Sequence, residues 1–205
     1  QPAVYELEGD VEIGAGFDLV VQPGVTVMGR EDTGLLFEGD LTAYGTEVQP
    51  IKFTAVVTRW GGLRFQGAQS RGMLEHVTVQ GGGDHLKVDG FGKESCVGIT
   101  SGANVTMTHG TVASSTNYGL YVAGSTLILS GTTVHHHDSY GLYADASAAL
   151  QVQRNQFLAN SVHPLRVEAN HVQELVNNTL ENNNPDRVLV DGGTVALDGA
   201  WANSN

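Results

Sequence analysis

Four residues form a set whose types and spacing could do chemistry at a surface: Arg64, Tyr121, Tyr143 and Arg166. The two tyrosines recur at an interval of 22 residues. Tyrosine rings can stack against sugar rings, and guanidinium groups can donate hydrogen bonds to hydroxyl or carboxylate oxygens. This combination suits carbohydrate binding, provided that the fold brings the four side chains to one face.

A second set is the run His135-His136-His137-Asp138. If the chain is extended here, His135 and His137 share one side and Asp138 adds an oxygen ligand, which would hold zinc or nickel weakly. Structural metal sites usually draw their ligands from separate elements, so the residues alone favour a solvated turn.

A repeat of about 22 residues between Cys96 and Arg187 determines where these side chains lie. Each unit holds three short segments of alternating apolar and polar residues joined by small or polar turn residues, which is the strand period. One unit cannot bury its own apolar side, but stacked units can, so a fixed period predicts a solenoid. The anchors, apolar except for Gln173, are in register Ile99, Leu120, Leu142, Leu165 and Leu189; Val105/Met107, Leu127/Leu129, Leu150/Val152 and Gln173/Leu175; and Val112, Val134, Phe157 and Leu180.

Three short strands per unit predict an all-β fold, a three-sided parallel β-helix. The alternative is a leucine-rich repeat, because the run from Leu150 to Phe157 fits half of that pattern and the period allows it. The other half of each unit alternates like a strand and lacks helix formers, which favours the β-helix.

In each first strand the residue after the inward anchor should point outward. Successive coils lie about 4.8 Å apart, so Tyr121 and Tyr143 should stand side by side, with Arg64 and Arg166 on neighbouring coils. The alternative is a tyrosine ladder that only stiffens the sheet, and the residues alone favour it. The predicted outward row is Leu36, Arg64, Thr100, Tyr121, Tyr143 and Arg166.

The bends between segments have a register of their own. Small or amide residues occupy one position in each unit, which suggests a tight bend into the left-handed region. His76 and His109 share a register at the bend after the second strand and read as part of a polar turn column, followed by Ser130 and Arg154. The predicted bend residues are Gly110, Thr132, Asn155 and Asn178.

Composition restricts the partners. The 205 residues include 10 basic and 22 acidic side chains, and the resulting net charge of -12 disfavours nucleic acid, anionic membrane surfaces and strongly acidic polysaccharides unless metal ions bridge. No run of 18 apolar residues exists that would insert into a membrane. The single cysteine, Cys96, reads as a small apolar residue at a strand start and not as a nucleophile.

The chain reads as one domain over residues 1–205. Residues 1–16 are expected to form an irregular first coil that covers the end of the stack, and residues 188–205 a last partial coil with a tail. Residues 81–95 are an inserted loop, because the register from Leu74 to Met107 is 33 residues. The acid and base groups of this loop, whose spacing shows no convergence, are Asp84, His85, Lys87, Asp89, Lys93 and Glu94.

The early coils contain four characteristic stretches: Gln22-Pro23-Gly24-Val25, Gly39-Asp40-Leu41-Thr42-Ala43-Tyr44-Gly45-Thr46, Gln49-Pro50-Ile51-Lys52-Phe53-Thr54 and Trp60-Gly61-Gly62-Leu63. With these motifs, residues 17–190 resemble bacterial right-handed parallel β-helix proteins of the broad pectate-lyase-like superfamily. The resemblance implies the fold and a right-handed coil, and it implies that the outward row often forms a substrate groove. It does not imply an activity, because this fold hosts lyases, hydrolases, adhesins and modules without known chemistry.

The sequence therefore predicts a non-catalytic, secreted or cell-surface module that binds carbohydrate or serves as a structural part of a larger protein. The alternatives are a polysaccharide lyase or glycoside hydrolase, and a spacer rod without a ligand. The outward row has no acid, and no Asn-Thr-Asp, Asp-Asp or Gly-His-Gly string occurs, which disfavours the enzyme. No cofactor is predicted, although a bound calcium ion stays open. Because the sequence begins at Gln1 without a signal peptide, we expect a processed or excised piece of a longer chain.

Overall fold

The computed structural model describes residues 2–84, 94–196 and 198–201. Within these residues the chain winds into a solenoid with three parallel β-sheets, and each coil adds one strand to sheet 1, then sheet 2, then sheet 3. Almost every strand pairs with the strands one coil before and one coil after it, which is the three-sided parallel arrangement that the repeat predicts.

The strands are short, as the alternating segments predict. Sheet 1 consists of Val4–Leu7, Thr26–Gly29, Ile51–Ala55, Val77–Gln80, Thr111–Ala113, Thr133–His135, Gln156–Leu158 and Thr179–Glu181. Sheet 2 consists of Val11–Ile13, Gly34–Phe37, Gly62–Gln66, Ser95–Thr100, Tyr118–Ala123, Leu142–Ala144, Leu165–Glu168 and Leu189–Asp191. Sheet 3 consists of Asp18–Val21, Asp40–Tyr44, Arg71–Glu75, Asn104–Thr108, Thr126–Ser130, Ala149–Gln153 and Leu175–Val176.

One segment departs from this pattern. Residues Ala169–Glu174 form a 3-10 helix, which stands where an alternating segment around Gln173 was predicted. At the start of the chain the structure is more regular than predicted. Val4–Leu7 and Val11–Ile13 are regular strands paired with the next coil, where an irregular lead-in was expected. In the described residues, no helix is long and apolar enough to cross a membrane.

The core is built from inward columns that run along the solenoid axis. In sheet 2 one column is nowhere more than 2% exposed, and full burial of such a side chain contributes about 1.5–3 kcal/mol. This first column consists of Leu35, Leu63, Val97, Leu120, Leu142 and Leu165. Phe37 and Phe65 begin a second column, where their rings stack with centroids 4.8 Å apart.

This register corrects two of the predicted anchors. Val97, and not Ile99, pairs with Leu120, whereas Ile99 pairs with Val122. Leu189 pairs with the outward Arg166 and so lies outside the inward column. The error at Ile99 is a slip of two residues, and a slip of two leaves the same residues facing inward because side chains alternate with period 2. The offset of 33 residues between Leu74 and Met107 is confirmed by their pairing.

The bend residues are also shifted by one position. Between sheets 3 and 1, the residues with positive φ are His76, His109, Gly131, Arg154 and Asn177, at 49°, 52°, 60°, 56° and 54°. The predicted bend residues Gly110, Thr132, Asn155 and Asn178 each lie one position after the residue that has the positive φ. Ser130, which was predicted to belong to the turn column, lies one position before Gly131 and is not part of it. Asparagine and glycine tolerate this conformation best.

After the last three of these bends the next residue is polar and buried, and these residues, Thr132, Asn155 and Asn178, form a ladder. The Asn155 side-chain amide donates to the Leu129 carbonyl at 3.0 Å, and its oxygen accepts from the Thr132 backbone N–H at 2.9 Å. Asn178 repeats the pattern one coil later by accepting from the Asn155 backbone N–H at 3.0 Å. Asn155 and Asn178 are each 1% exposed, so these bonds replace the water that the buried backbone groups have lost.

A second ladder lines the corner between sheets 1 and 2. His137 Nδ1 accepts from the Ser115 backbone N–H at 3.0 Å, and Asn160 Oδ1 accepts from the His137 backbone N–H at 3.3 Å. Asn183 continues the ladder by accepting from the Asn160 backbone N–H at 3.0 Å. A histidine thus fills a position that asparagine fills in the next two coils.

Candidate functional site

The outer side of sheet 2 carries a cluster of aromatic and cationic side chains, which we call the tyrosine face. It has two parallel rows, one at the start of the strands and one in the strands. All of its members are partly buried, with part of each side chain in contact with solvent. The tyrosine face consists of Tyr118, Tyr140 and His163 in the first row and Tyr121, Tyr143 and Arg166 in the second.

Parallel pairing of the strands stacks the rings within each row. Tyr121 pairs directly with Tyr143, and their rings are stacked at 5.3 Å with an interplanar angle of 2°. Tyr118 and Tyr140 stack at 5.9 Å and 8°, and His163 stacks on Tyr140 at 6.2 Å and 16°. The side-by-side placement of Tyr121 and Tyr143 agrees with the sequence prediction.

The two rows touch each other, so the four tyrosines form one surface. The rings of Tyr118 and Tyr121 lie 5.8 Å apart at 42°, and those of Tyr140 and Tyr143 lie 6.5 Å apart at 49°. Tilted aromatic pairs at these separations are attractive beyond the area that they bury. The cluster is therefore a fixed platform with four phenol groups in a two-by-two array.

Arg166 closes one end of the platform. Its guanidinium carbon lies 5.7 Å from the centre of the Tyr140 ring and 5.2 Å from that of Tyr143, which is cation–π distance. Its Nε donates to both carboxylate oxygens of Asp191, at 3.1 and 2.9 Å. The hydrogen bond that Arg166 donates to Asp191 raises the pKa of Arg166 further, so the group stays charged.

The electrostatics of the face keep the hydroxyls of Tyr121 and Tyr143 protonated. Partial burial raises the pKa of Tyr121, and the neighbouring Tyr143 adds to that effect. Burial likewise raises the pKa of Tyr143, although Arg166 acts in the opposite direction. Both phenols are therefore neutral over the ordinary pH range and can donate as well as accept hydrogen bonds.

Arg64 does not belong to this face, which corrects the sequence prediction. It occupies the predicted outward row but is only 2% exposed. Its Nη1 donates to the Leu63 carbonyl at 3.2 Å and to the Ser95 carbonyl at 2.8 Å, where the chain returns from the inserted loop. Arg64 thus fastens this return to the coil before it.

The predicted row contains a second error. Gly98, and not Thr100, pairs with Tyr121 on one side and with Arg64 on the other. Thr100 pairs with Ala123 two residues further along the strand. The slip is the one that misplaced Ile99 in the core, because both residues belong to the same strand.

Sequence reasoning missed Tyr118, Tyr140, His163 and Asp191. Strict alternation places Tyr118 on the opposite side from Tyr121, but the strand starts at a corner where Gly119 comes very close to the next coil. A Cβ at Gly119 would lie 2.5 Å from the carbonyl oxygen of Gly141. The repetition of Tyr-x-x-Tyr at 22 residues was the signal that could have identified the first row.

At the histidine run the sequence favoured a solvated turn over a metal site, and the structure shows where the three possible ligands lie. His137 is fully buried, and both of its ring nitrogens are occupied, since Nε2 lies 3.1 Å from the Val112 carbonyl and Nδ1 accepts from Ser115. His135 is half-buried, with its Nδ1 2.7 Å from that of His136. Asp138 is exposed. His135, His137 and Asp138 therefore do not converge on one point.

The inserted loop contributes one described acid with a clear role. Asp84 is 5% exposed and accepts from the Asp32 backbone N–H at 2.9 Å, so it orders a neighbouring turn. Cys96 is fully buried, and burial raises the pKa of its thiol to about 12, which fits the prediction that it is not a nucleophile. His85, Lys87, Asp89 and Lys93 lie outside the described residues.

Among the described residues, the carboxylates of Asp145 and Asp191 lie beside the tyrosine face, and both have structural partners. Asp191 binds Arg166, as described above. Asp145 Oδ1 accepts from the backbone N–H of Gly124 at 3.2 Å and from both the backbone and the hydroxyl of Ser147. In the part of the chain that the structure describes, the face therefore offers aromatic surface, hydroxyls and the Arg166 guanidinium, which suits binding.

Comparison with known proteins agrees with this architecture. The family model described as right handed beta helix region matches residues 64–202, more than half of the chain, so the chain belongs to the right-handed β-helix family. The predicted all-β, right-handed parallel β-helix is thereby confirmed. Searches of curated proteins and of solved structures found no match.

Proposed function

We propose that this β-helix is a non-catalytic module that binds a carbohydrate chain on the tyrosine face. The observation that carries the proposal is the two-by-two array of tyrosines with Arg166 held at its end by Asp191. Such an array offers aromatic edges and hydroxyls at the spacing of successive coils, about 4.8 Å, to a ligand that runs along the solenoid axis. The four phenols are the hydrogen-bonding groups that sugar hydroxyls need.

The charge of the chain supports a neutral ligand. The net charge is -12, and Arg166, the arginine that the described residues place on the face, is already paired with Asp191. A polyanionic glycan would be repelled at long range, whereas a neutral one would not. In keeping with the resemblance in its early coils, we also propose that the module is bacterial and works at the cell surface or in secreted form.

A glycan array with neutral and acidic polysaccharides tests the proposal, followed by variants that keep the rings. Tyr121→Phe combined with Tyr143→Phe retains the stacked pair but removes two hydroxyls. If each hydroxyl contributes about 1 kcal/mol, affinity should fall roughly 30-fold. Tyr44→Phe is the matched control, because Tyr44 is 46% exposed on sheet 3, away from the face. Absence of glycan binding, or equal loss in the control, would overturn the proposal.

A structural ladder is the second candidate, and the near-parallel stacking of Tyr121 on Tyr143 favours it. Under this alternative, Tyr121→Ala combined with Tyr143→Ala lowers the melting temperature although no glycan binds the native protein. For the lyase or hydrolase alternative the assay is the release of reducing ends or unsaturated sugars from polysaccharides. Such release would refute the non-catalytic part of the proposal.

A further inference from the structure

The corner between sheets 3 and 1 carries a cluster that neither the family nor the tyrosine face accounts for. We propose that Glu75, His76 and His109 bind a divalent transition-metal ion, with zinc the best match to these ligands. Their ligand atoms all lie within 4.8 Å of one another, and among the described residues they form the one such group of three or more His, Cys, Asp or Glu side chains. The ligands come from two successive coils, so the ion would join them.

The backbone fixes the two histidines in the same orientation. His76 and His109 both have positive φ, 49° and 52°, and each backbone N–H is bonded to the next coil, at 3.1 Å to Thr108 and 3.1 Å to Ser130. Their imidazole rings lie side by side with centroids 5.4 Å apart and an interplanar angle of 20°. Two identical corners stacked in register thus present two imidazoles in one direction.

The neighbouring coil leaves room for this arrangement. Gly131 occupies the same corner position as His109, one coil later. A Cβ at Gly131 would lie 3.2 Å from Cδ2 of the His109 ring. A larger residue at Gly131 would therefore push the His109 ring towards His76. Glycine lets His109 lie flat over the next corner.

The donor set decides the chemical class of the ion. Two imidazole nitrogens and one carboxylate suit zinc and its neighbours among the transition metals, whereas calcium and magnesium prefer oxygen ligands throughout. Tetrahedral zinc, with bonds of about 2.0–2.2 Å, needs donors about 3.4 Å apart. His109 is exposed and Glu75 and His76 are half-buried, so side-chain rotation can close the remaining distance.

A cavity beside the cluster supplies space for a further ligand. It has a volume of about 240 Å³ and is lined by both histidines and by Glu47, an exposed carboxylate in the corner of the preceding coil, between the strands Asp40–Tyr44 and Ile51–Ala55. Either Glu47 or water would complete the coordination. A position left to water is the arrangement found in zinc sites that remain open to solvent.

Titration of the full chain with zinc, followed by isothermal calorimetry, tests the proposal. We expect one ion per chain, and at least a tenfold loss of affinity in His76→Asn, His109→Asn and Glu75→Gln. Asparagine is chosen because it tolerates positive φ and preserves the corner. The matched control is His136→Asn, since His136 is exposed, has φ 57° and lies beside another histidine in a different corner. We expect this control to bind zinc as the native chain does.

Cobalt provides a readout that does not depend on variants. Co²⁺ bound by two imidazoles and a carboxylate should give visible d–d absorption that zinc displaces at one equivalent. Absence of this absorption and of calorimetric binding would overturn the proposal. So would zinc affinity that is unchanged in His76→Asn and His109→Asn, or affinity that is lost in His136→Asn, because the ion would then lie at the other histidine pair.

Discussion

Acidification should destabilise this solenoid through one buried histidine. Burial lowers the pKa of His137 to about 3, because the imidazolium form would be desolvated; the hydrogen bond to the Val112 carbonyl acts in the opposite direction but is the smaller effect. Since Nδ1 accepts from the Ser115 N–H, the proton sits on Nε2 and is donated to Val112. In the unfolded chain the pKa returns to about 6.5.

The sign and size of the change in the free energy of unfolding with pH follow from proton linkage. Between pH 6.5 and 3 the unfolded chain binds a proton at His137 that the folded chain does not, so the free energy of unfolding falls as the pH falls. Each unit of pH below the unfolded pKa removes about 1.4 kcal/mol. From pH 7 to pH 4.5 this group alone should remove about 2.5 kcal/mol, a large share of the total of about 5–15 kcal/mol that is usual for a domain.

The test compares the native chain with His137→Asn, which installs the residue that the ladder has at Asn160 and Asn183. Urea unfolding of both proteins at pH 7 and at pH 4.5 gives two differences in stability. The carboxylates titrate in both proteins, so the variant should lose about 2.5 kcal/mol less than the native chain over this range. Equal losses in the two proteins would refute the assignment of His137 as a buried neutral group. His136→Asn, an exposed change one residue away, should lose as much as the native chain.

Two further predictions concern buried positions. Asn155→Ala removes an amide that bonds two buried backbone groups, and each group left without a partner costs about 1–3 kcal/mol. The free energy of unfolding, measured in urea, should therefore fall by about 2–6 kcal/mol. The control Asn104→Ala, at an exposed position, should change this free energy by less than about 0.5 kcal/mol. A similar small loss in both would contradict the ladder. Gly119→Ala places a Cβ 2.5 Å from a backbone oxygen and should lower the free energy of unfolding by about 1–3 kcal/mol, measured by thermal melting. The control Gly192→Ala, with open space around the added Cβ, should be nearly neutral. A neutral Gly119→Ala would show that the coils can separate there.

The fold could be predicted from the sequence because a solenoid is encoded locally. Each coil pairs with the next at an offset of about 22 residues, so the recurrence of Leu120, Leu142 and Leu165 already identifies the inward column. Strand length, direction of pairing and the stacking of Tyr121 on Tyr143 all follow from that offset. No long-range arrangement had to be guessed, since contacts in such folds join neighbouring repeats.

The residue-by-residue pairing of neighbouring strands could not be predicted in the same way. Alternation has a period of two, so placing Thr100 where Gly98 belongs leaves the burial pattern of the strand intact. Only the hydrogen-bonded pairing of the strands distinguishes the two positions. The corners are harder still, because a residue of positive φ turns the chain and decides which side the following residue faces.

The sequence by itself thus determined the class of fold, most members of the inward columns and one pair of the tyrosine face. The tertiary structure alone decided that Arg64 and His137 point into closed surroundings, and that Glu75 and His76 meet His109 from the next coil. The physical reason is that a polar side chain has no pattern of its own. It goes wherever unpaired backbone groups or neighbouring rings stabilise it, and those partners exist only once the coils are stacked.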